Sequence, residues 1–159
     1  MTNEVKQQFT LRITQANPTQ LVVILYEMAD VFLKEAAESF QKEDMAAYKE
    51  GIRKARGCIN ELIQSLHMEY DPAPKLLRLY LFCIRRLAYA EVRKEPEVLK
   101  EVSGILSKLK EAYGQVAAAN PAAPVMSNTQ TVYSGLTYGK SADLAEDVSG
   151  QSLNRGMLI

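Results

Sequence analysis

Hydrophobic positions along the first 119 residues recur with the 3.6-residue period of the α-helix, and the alternation typical of strands is nearly absent. The breaks in this pattern are short, so consecutive helices are expected to be antiparallel neighbours. The fold class predicted is all-α, an antiparallel up-down four-helix bundle with an extra N-terminal helical arm. The predicted helices are Glu4–Thr14, Pro18–Phe40, Asp44–Leu66, Pro74–Arg93 and Glu95–Ala118.

The second predicted helix begins with Asn17, a good N-cap, and with Pro18 at the first helical position, where its missing N–H costs nothing. Six apolar or aromatic residues follow (LVVILY, 21–26). A surface helix usually has one apolar side. The run therefore predicts a core side with Leu21 and Leu25, and a second side with Val22 and Tyr26 that faces a partner. The alternative is that packing within the bundle buries both sides.

The fourth predicted helix is apolar nearly all round, which predicts that it is the central helix of the bundle. It also carries Arg85 and Arg86, one of which must lie near buried surface. That arginine either pairs with a carboxylate across the bundle or faces a partner, because such charges are seldom left unpaired.

The composition changes near Asn120. Residues 120–159 are rich in Pro, Gly, Ser, Thr and Asn, which predicts a flexible tail after an arm (1–16) and a bundle (17–119). Residues 141–148 (SADLAEDV) fit a short helix, and the chain ends in the apolar sequence GMLI. A tethered apolar segment has a high effective concentration near its own body. The tail is therefore a candidate for self-association or for occupying an apolar groove; the alternative is a tail with no docking site.

Charge and cysteine usage exclude several classes of protein. Nineteen Lys and Arg balance nineteen Asp and Glu, so no electrostatic field favours nucleic acid or an anionic membrane. No apolar run approaches the roughly 20 residues that span a bilayer, and no signal-peptide pattern is present. Cys58 and Cys83 lie within apolar helical patterns, which predicts buried thiols. We expect a cytoplasmic protein without a nucleic-acid partner or membrane insertion.

Motifs for catalysis or metal binding are absent from the sequence. The single histidine, His67, lies at the predicted end of the third helix, where it interacts favourably with the helix dipole. The sequence contains no Cys-x-x-Cys, His-x-x-x-His or Glu-x-x-His pair, no phosphate-binding glycine loop and no Gly-x-Ser-x-Gly elbow. We therefore expect no enzymatic activity, no metal site and no cofactor.

Four stretches resemble, in order, the flagellar secretion chaperone FliS family. ANPTQLVVILY (16–26) is similar to the family's Ala-Ser/Thr-Pro-x-x-Leu-x-x-x-Leu-Tyr signature, and MEYD (68–71) to its loop after the third helix. Leu79-Tyr80 with Arg85-Arg86-Leu87 resembles its Leu-Tyr-x-Tyr-x-x-Arg-Arg-Leu segment, and EVSGIL (101–106) its Glu-Val-x-Gly-hydrophobic stretch. The chain departs from the family where Asn17 replaces Ser or Thr. It also lacks the tyrosine usual near Gln8, and three apolar residues replace polar or aromatic ones: Leu81, Phe82 and Ile84.

The resemblance implies a cytoplasmic, non-enzymatic export chaperone. Such a protein binds the disordered C-terminal segment of flagellin in apolar grooves, prevents premature polymerisation and delivers flagellin to the flagellar type III export-gate protein. Relatives contact the export-gate protein through the N-terminal tyrosine that this chain lacks. In this chain the contact either uses Phe9 or is absent. The alternative function is a self-associating helical-bundle adaptor with no flagellin client. The candidate partner-binding residues are Val22, Tyr26, Ala29 and Leu33 on the second helix, with Phe9 and Ile13 in the arm.

Overall fold

The structure, a computed structural model, describes residues 1–119. This part of the chain contains five helices and no strand, which confirms the all-α prediction. The predicted tail, with its short helix near 141–148, lies outside the described residues. The helices are α1 (Asn3–Gln15), α2 (Pro18–Gln41), α3 (Met45–Gln64), α4 (Ala73–Arg93) and α5 (Glu97–Ala119).

Side-chain caps mark the starts of α2 and α3. The backbone N–H of Gln20 donates to the Asn17 side chain at 2.8 Å, and the N–H of Asn17 donates to the Gln20 side chain at 3.0 Å. This reciprocal pair satisfies two N–H groups that the first turn of α2 would otherwise leave without partners. Asp44 caps α3 with a single hydrogen bond, accepting from the N–H of Ala47 at 3.0 Å. The predicted cap at Asn17 is confirmed.

Helices α2 to α5 form a ring in which α2 and α4 lie diagonally opposite each other. α2 packs on α3 and α5, and α4 packs on the same two helices from the other side. The hydroxyl of Tyr48, at the start of α3, donates to the carbonyl of Ala90, at the end of α4, at 2.8 Å. Arg86, late in α4, pairs with Glu101, early in α5. These contacts make α4 antiparallel to both of its neighbours.

The most deeply embedded of the described helices is α2, not α4. Buried residues occur on nearly every side of α2, whereas α4 buries one side and leaves apolar residues such as Leu81 and Phe82 exposed. The prediction that the fourth helix is central is therefore wrong. The physical reason is α1, which packs against α2 and gives that helix a third neighbour.

Two small residues set the distance between α2 and α3. A Cβ atom added to Gly51 on α3 would lie 2.8 Å from the Cβ of Ala36 on α2 and 3.1 Å from the carbonyl oxygen of Phe32. The two helices therefore pack against each other here with almost no side chain between their backbones.

Both cysteines are free and fully buried, as predicted. Burial raises the pKa of the Cys58 thiol to about 12 and that of the Cys83 thiol to about 11. At neutral pH both are protonated and behave as small apolar side chains.

Candidate partner-binding site

The LVVILY run of α2 points into the protein over almost its whole circumference. Val23 is half-buried and the other five residues are buried. The predicted orientation, with Val22 and Tyr26 turned towards a partner, is wrong: Val22, Tyr26, Ala29 and Leu33 are each 2% exposed or less. The alternative considered above, that packing buries both apolar sides, describes the structure. None of the four reaches the surface in this structure, and the binding of a partner by them remains a prediction.

Tyr26 has a specific internal role. Its hydroxyl shares a hydrogen bond with the hydroxyl of Tyr80 on α4, at the centre of the bundle. Burial raises the pKa of Tyr26 to about 12 and also raises the pKa of Tyr80. The pair therefore remains protonated at neutral pH and links the two diagonal helices.

The second apolar side of α2 lies beneath α1. Arg12 of α1 pairs with Glu27 at 2.6 Å, and the amino group of Met1 pairs with Glu35. Glu27 and Glu35 are two turns apart on α2, so the two ion pairs hold both ends of α1 against the same side of that helix. Helical spacing places three apolar residues on this side, which we call the α1-facing side of α2: Ile24, Met28 and Val31.

The two candidate residues of the arm face inward. Phe9 and Ile13, one turn apart on α1, are both buried and join the apolar core. They attach α1 to the bundle, and they are occupied by that contact in this structure. Sequence reasoning missed the surface they cover, although Ile24, Met28 and Val31 follow a 4-3 spacing with glutamates beside them.

An open cleft of about 440 Å³ continues this region at the start of α2. Its walls combine the end of α1, the first turns of α2 and one position on α5. Arg12 lines it, so the ion pair that holds α1 down also borders the cleft. The lining residues are Arg12, Gln15, Ala16, Thr19, Gln20, Val23, Ile24 and Gly114.

A second apolar surface is open to solvent on the side of α4 away from the core. Val92 is 79% exposed and Leu81 40% exposed, and Phe82 and Tyr89 are exposed beside them. Arg86 is half-buried and pairs with Glu101 of α5 at 2.5 Å, whereas Arg85 is exposed. We call this surface the α4 outer face; it consists of Arg78, Leu81, Phe82, Arg85, Tyr89 and Val92.

Residues 1–119 show no cluster suited to metal chemistry. Within them, no three His, Cys, Asp or Glu side chains are grouped so as to hold a metal ion. In the loop between α3 and α4, the Nδ1 atom of His67 lies 3.9 Å from the Oε1 atom of Glu69. None of the five helices is long and apolar enough to cross a membrane. What these residues offer a partner is apolar helix surface.

Comparison with known proteins agrees with the four stretches identified in the sequence. The sequence profile of the family described as "Flagellar protein FliS" matches residues 1–120. The flagellar secretion chaperone FliS of Salmonella typhimurium is 34% identical, over 65% of this chain and 79% of its own length. The flagellar secretion chaperone FliS of Bacillus subtilis is 27% identical, over 65% of this chain and 77% of its own length. The flagellar secretion chaperone FliSB of Pseudomonas aeruginosa is 30% identical, over 64% of this chain and 82% of its own length. The chain therefore belongs to the FliS family of flagellar proteins.

Proposed function

We propose that this chain is a non-enzymatic flagellar export chaperone that binds the C-terminal segment of flagellin on the α1-facing side of α2. Binding there would keep flagellin from polymerising before export and would carry it to the export gate. The observation that supports this site most directly is α1 itself, a short amphipathic helix lying along an apolar side of a rigid bundle. A client segment that folds into a helix would use the same surface in the same way.

α1 is attached weakly enough to be replaced. It packs chiefly on α2, and Phe9 and Ile13 are its only residues that are buried. A 13-residue helix has marginal stability in water without tertiary contacts. Loss of the docking contact would therefore also unfold α1, whereas the ring of α2 to α5 would keep its own contacts.

The surface left by α1 suits an amphipathic client. Ile24, Met28 and Val31 provide apolar contacts at helical spacing. Departure of Arg12 and of the Met1 amino group would leave Glu27 and Glu35 free to bind cations on the client. The proposal does not require Val22, Tyr26, Ala29 or Leu33 to leave the core.

The same exchange provides a route to the export gate. With α1 docked, Phe9 is buried and unavailable to another protein. Displacement by flagellin would expose Phe9 and Ile13 together on a released arm. We propose that this arm contacts the export-gate protein, so that only a chaperone carrying its client presents the contact.

A reversible tether tests whether α1 must leave. Arg12→Cys and Glu27→Cys place two thiols where the ion pair joins α1 to α2, and a short cross-linker with a cleavable disulfide can connect them. Cys58 and Cys83 are fully buried and do not compete for the reagent. In calorimetry with a flagellin C-terminal peptide, we expect the tethered protein to lose binding and the reduced protein to regain it.

The control is the Arg12→Cys variant treated with the same reagent, which carries the modification without the tether and is expected to bind. Tethered protein that binds as well as the control would show that the peptide uses another surface. A wild-type chain that does not bind the peptide would refute flagellin as the client.

The α4 outer face supports a second candidate, an adaptor that self-associates through this helix. Four exposed apolar side chains on one side of a helix are typical of a protein interface. Concentration-dependent light scattering that disappears in Val92→Glu, together with no response to flagellin, would favour the adaptor.

A further inference from the structure

The α4 outer face combines apolar contact area with positive charge. Leu81, Phe82, Tyr89 and Val92 are exposed, and Arg78 and Arg85 lie among them at helical spacing, seven residues apart. Seven residues are about two turns, or roughly 10 Å along the helix. A segment docked here would need apolar residues on one side and carboxylates beside them.

The two arginines on this face have no acidic partner within residues 1–119. Arg56 on α3 and Arg86 on α4 are half-buried, and they pair with Glu91 and Glu101 respectively. Arg78 and Arg85 make no ion pair with the described part of the chain. The face therefore presents two uncompensated charges next to apolar surface that is open to solvent.

The chain itself contains a segment with the complementary pattern. Residues 141–148 (SADLAEDV) lie outside the described residues. Their sequence contains all the Asp and Glu residues of positions 120–159: Asp143, Glu146 and Asp147. In a helix, Leu144 and Val148 would be one turn apart, and Asp143 and Asp147 would form a second pair on the adjacent side. The segment would thus offer carboxylates beside apolar residues, and the α4 outer face offers arginines beside apolar residues.

The connection is long enough for the segment to dock on its own molecule. α5 is antiparallel to α4, so its last residue, Ala119, lies towards the end of the bundle where α4 begins. Residues 120–140 join that point to the segment, and a chain of this length can span up to about 70 Å. The 21 residues of α4 extend only about 30 Å.

We propose that the α4 outer face is the docking surface for residues 141–148 of the same molecule, with the acidic residues of that segment bound by Arg78 and Arg85. An intramolecular tether gives such a contact an effective concentration in the millimolar range, so a modest interface suffices. α4 and α1 pack on different helices, so the tail would leave the α1-facing side of α2 free for a client.

A spin label tests the proposal in the full-length chain. Ser149→Cys places one reactive thiol next to the segment, while Cys58 and Cys83 are buried. In amide NMR spectra, we expect residues around Leu81 and Arg85 to lose most of their peak intensity. Residues of α1, which packs on the helix diagonally opposite α4, are expected to keep theirs. Reducing the label is expected to restore the lost signals.

Charge reversal identifies the contact. Arg85→Glu is expected to abolish the loss of intensity on α4, because the new carboxylate repels the acidic residues of the segment. Arg85 is exposed, so its replacement leaves the core unchanged. Lys49→Glu is the matched control: this exposed residue of α3 makes no ion pair with residues 1–119, and the same charge change there is expected to have no effect. Adding Asp147→Arg to Arg85→Glu is expected to restore the intensity loss.

Three results would overturn the proposal. Full intensity on α4 in the labelled wild-type chain would show that the segment does not dock there. Intensity loss on α1 and α2 instead would place the tail over the proposed client surface. In a mixture of spin-labelled chains and chains observed by NMR that carry no spin label, intensity loss on α4 would identify the segment of a second copy as the occupant.

Discussion

The side chains of Tyr26 and Tyr80 meet at the centre of the bundle, where their hydroxyl groups share one hydrogen bond between diagonal helices. Because both hydroxyls are buried, each depends on the other for a partner. Tyr80→Phe is expected to lower the free energy of unfolding by about 1–3 kcal/mol, since it leaves the Tyr26 hydroxyl without a partner.

The double variant Tyr26→Phe/Tyr80→Phe removes both polar groups, and we expect it to be less destabilised than the sum of the two single variants. Urea denaturation of all four proteins measures this coupling. Single effects that simply add would mean that the two hydroxyls do not depend on each other.

The close approach of α2 and α3 predicts opposite effects for two glycines on one helix. Gly51→Ala places a methyl group 2.8 Å from the Cβ of Ala36, so the helices must move apart, at a cost of about 1–3 kcal/mol. Gly57→Ala meets no atom within 4 Å and is expected to stabilise α3 by about 0.5–1 kcal/mol. Thermal denaturation of both variants compares them directly, and a stabilised Gly51→Ala protein would contradict this packing.

The buried thiols and Tyr26 predict a loss of stability at alkaline pH. Burial raises their pKa values from 9.0 to about 12 for Cys58, from 9.0 to about 11 for Cys83 and from 10.0 to about 12 for Tyr26. Above pH 9 the unfolded chain releases protons that the folded chain retains, so the free energy of unfolding falls as the pH rises. Each group contributes at most about 1.4 kcal/mol per pH unit, and only between its unfolded and folded pKa values.

Urea midpoints at pH 8 and pH 10.5 measure this loss. Cys58→Ala removes one of the groups, and we expect its midpoint to fall less between the two pH values than the wild-type midpoint does. Equal losses in the two proteins would show that the Cys58 thiol does not contribute.

Hydrogen exchange is expected to separate α1 from the rest of the protein. Because α1 depends on two buried side chains, its amides are expected to exchange much faster than those of α2. Phe9→Ala is expected to accelerate exchange in α1 and leave α2 to α5 unchanged. Leu11→Ala, at an exposed position of the same helix, is the matched control and is expected to have little effect. Mass spectrometry of deuterated peptides gives both rates.

The sequence was sufficient to predict the helices, since their periodicity and caps are local properties. Asn17, Pro18 and Asp44 start helices for reasons contained within a few residues. The pairing of one of the two arginines with a carboxylate was one of the two outcomes considered, and Glu101 of α5 supplies that carboxylate to Arg86.

What could not be predicted was the rotation of α2 about its own axis. Leu21, Val22, Ile24, Leu25 and Tyr26 are all apolar, so the run itself does not indicate which side meets which neighbour. The answer depends on α1, a weakly patterned helix whose position is set by tertiary contacts. These are the burial of Phe9 and Ile13 and the ion pair of Arg12 with Glu27. The same ambiguity made α4 look central, because apolar residues on an exposed face have the same sequence pattern as apolar residues in a core.

The capping box at the start of α2 has a consequence for how α1 can move. Only Ala16 and Asn17 separate α1 from α2, and both have extended backbone conformations. Asn17 and Gln20 cap the first turn of α2 through hydrogen bonds to each other. The junction can therefore act as a hinge with a fixed end: α1 can swing away or unfold while α2 keeps its full length.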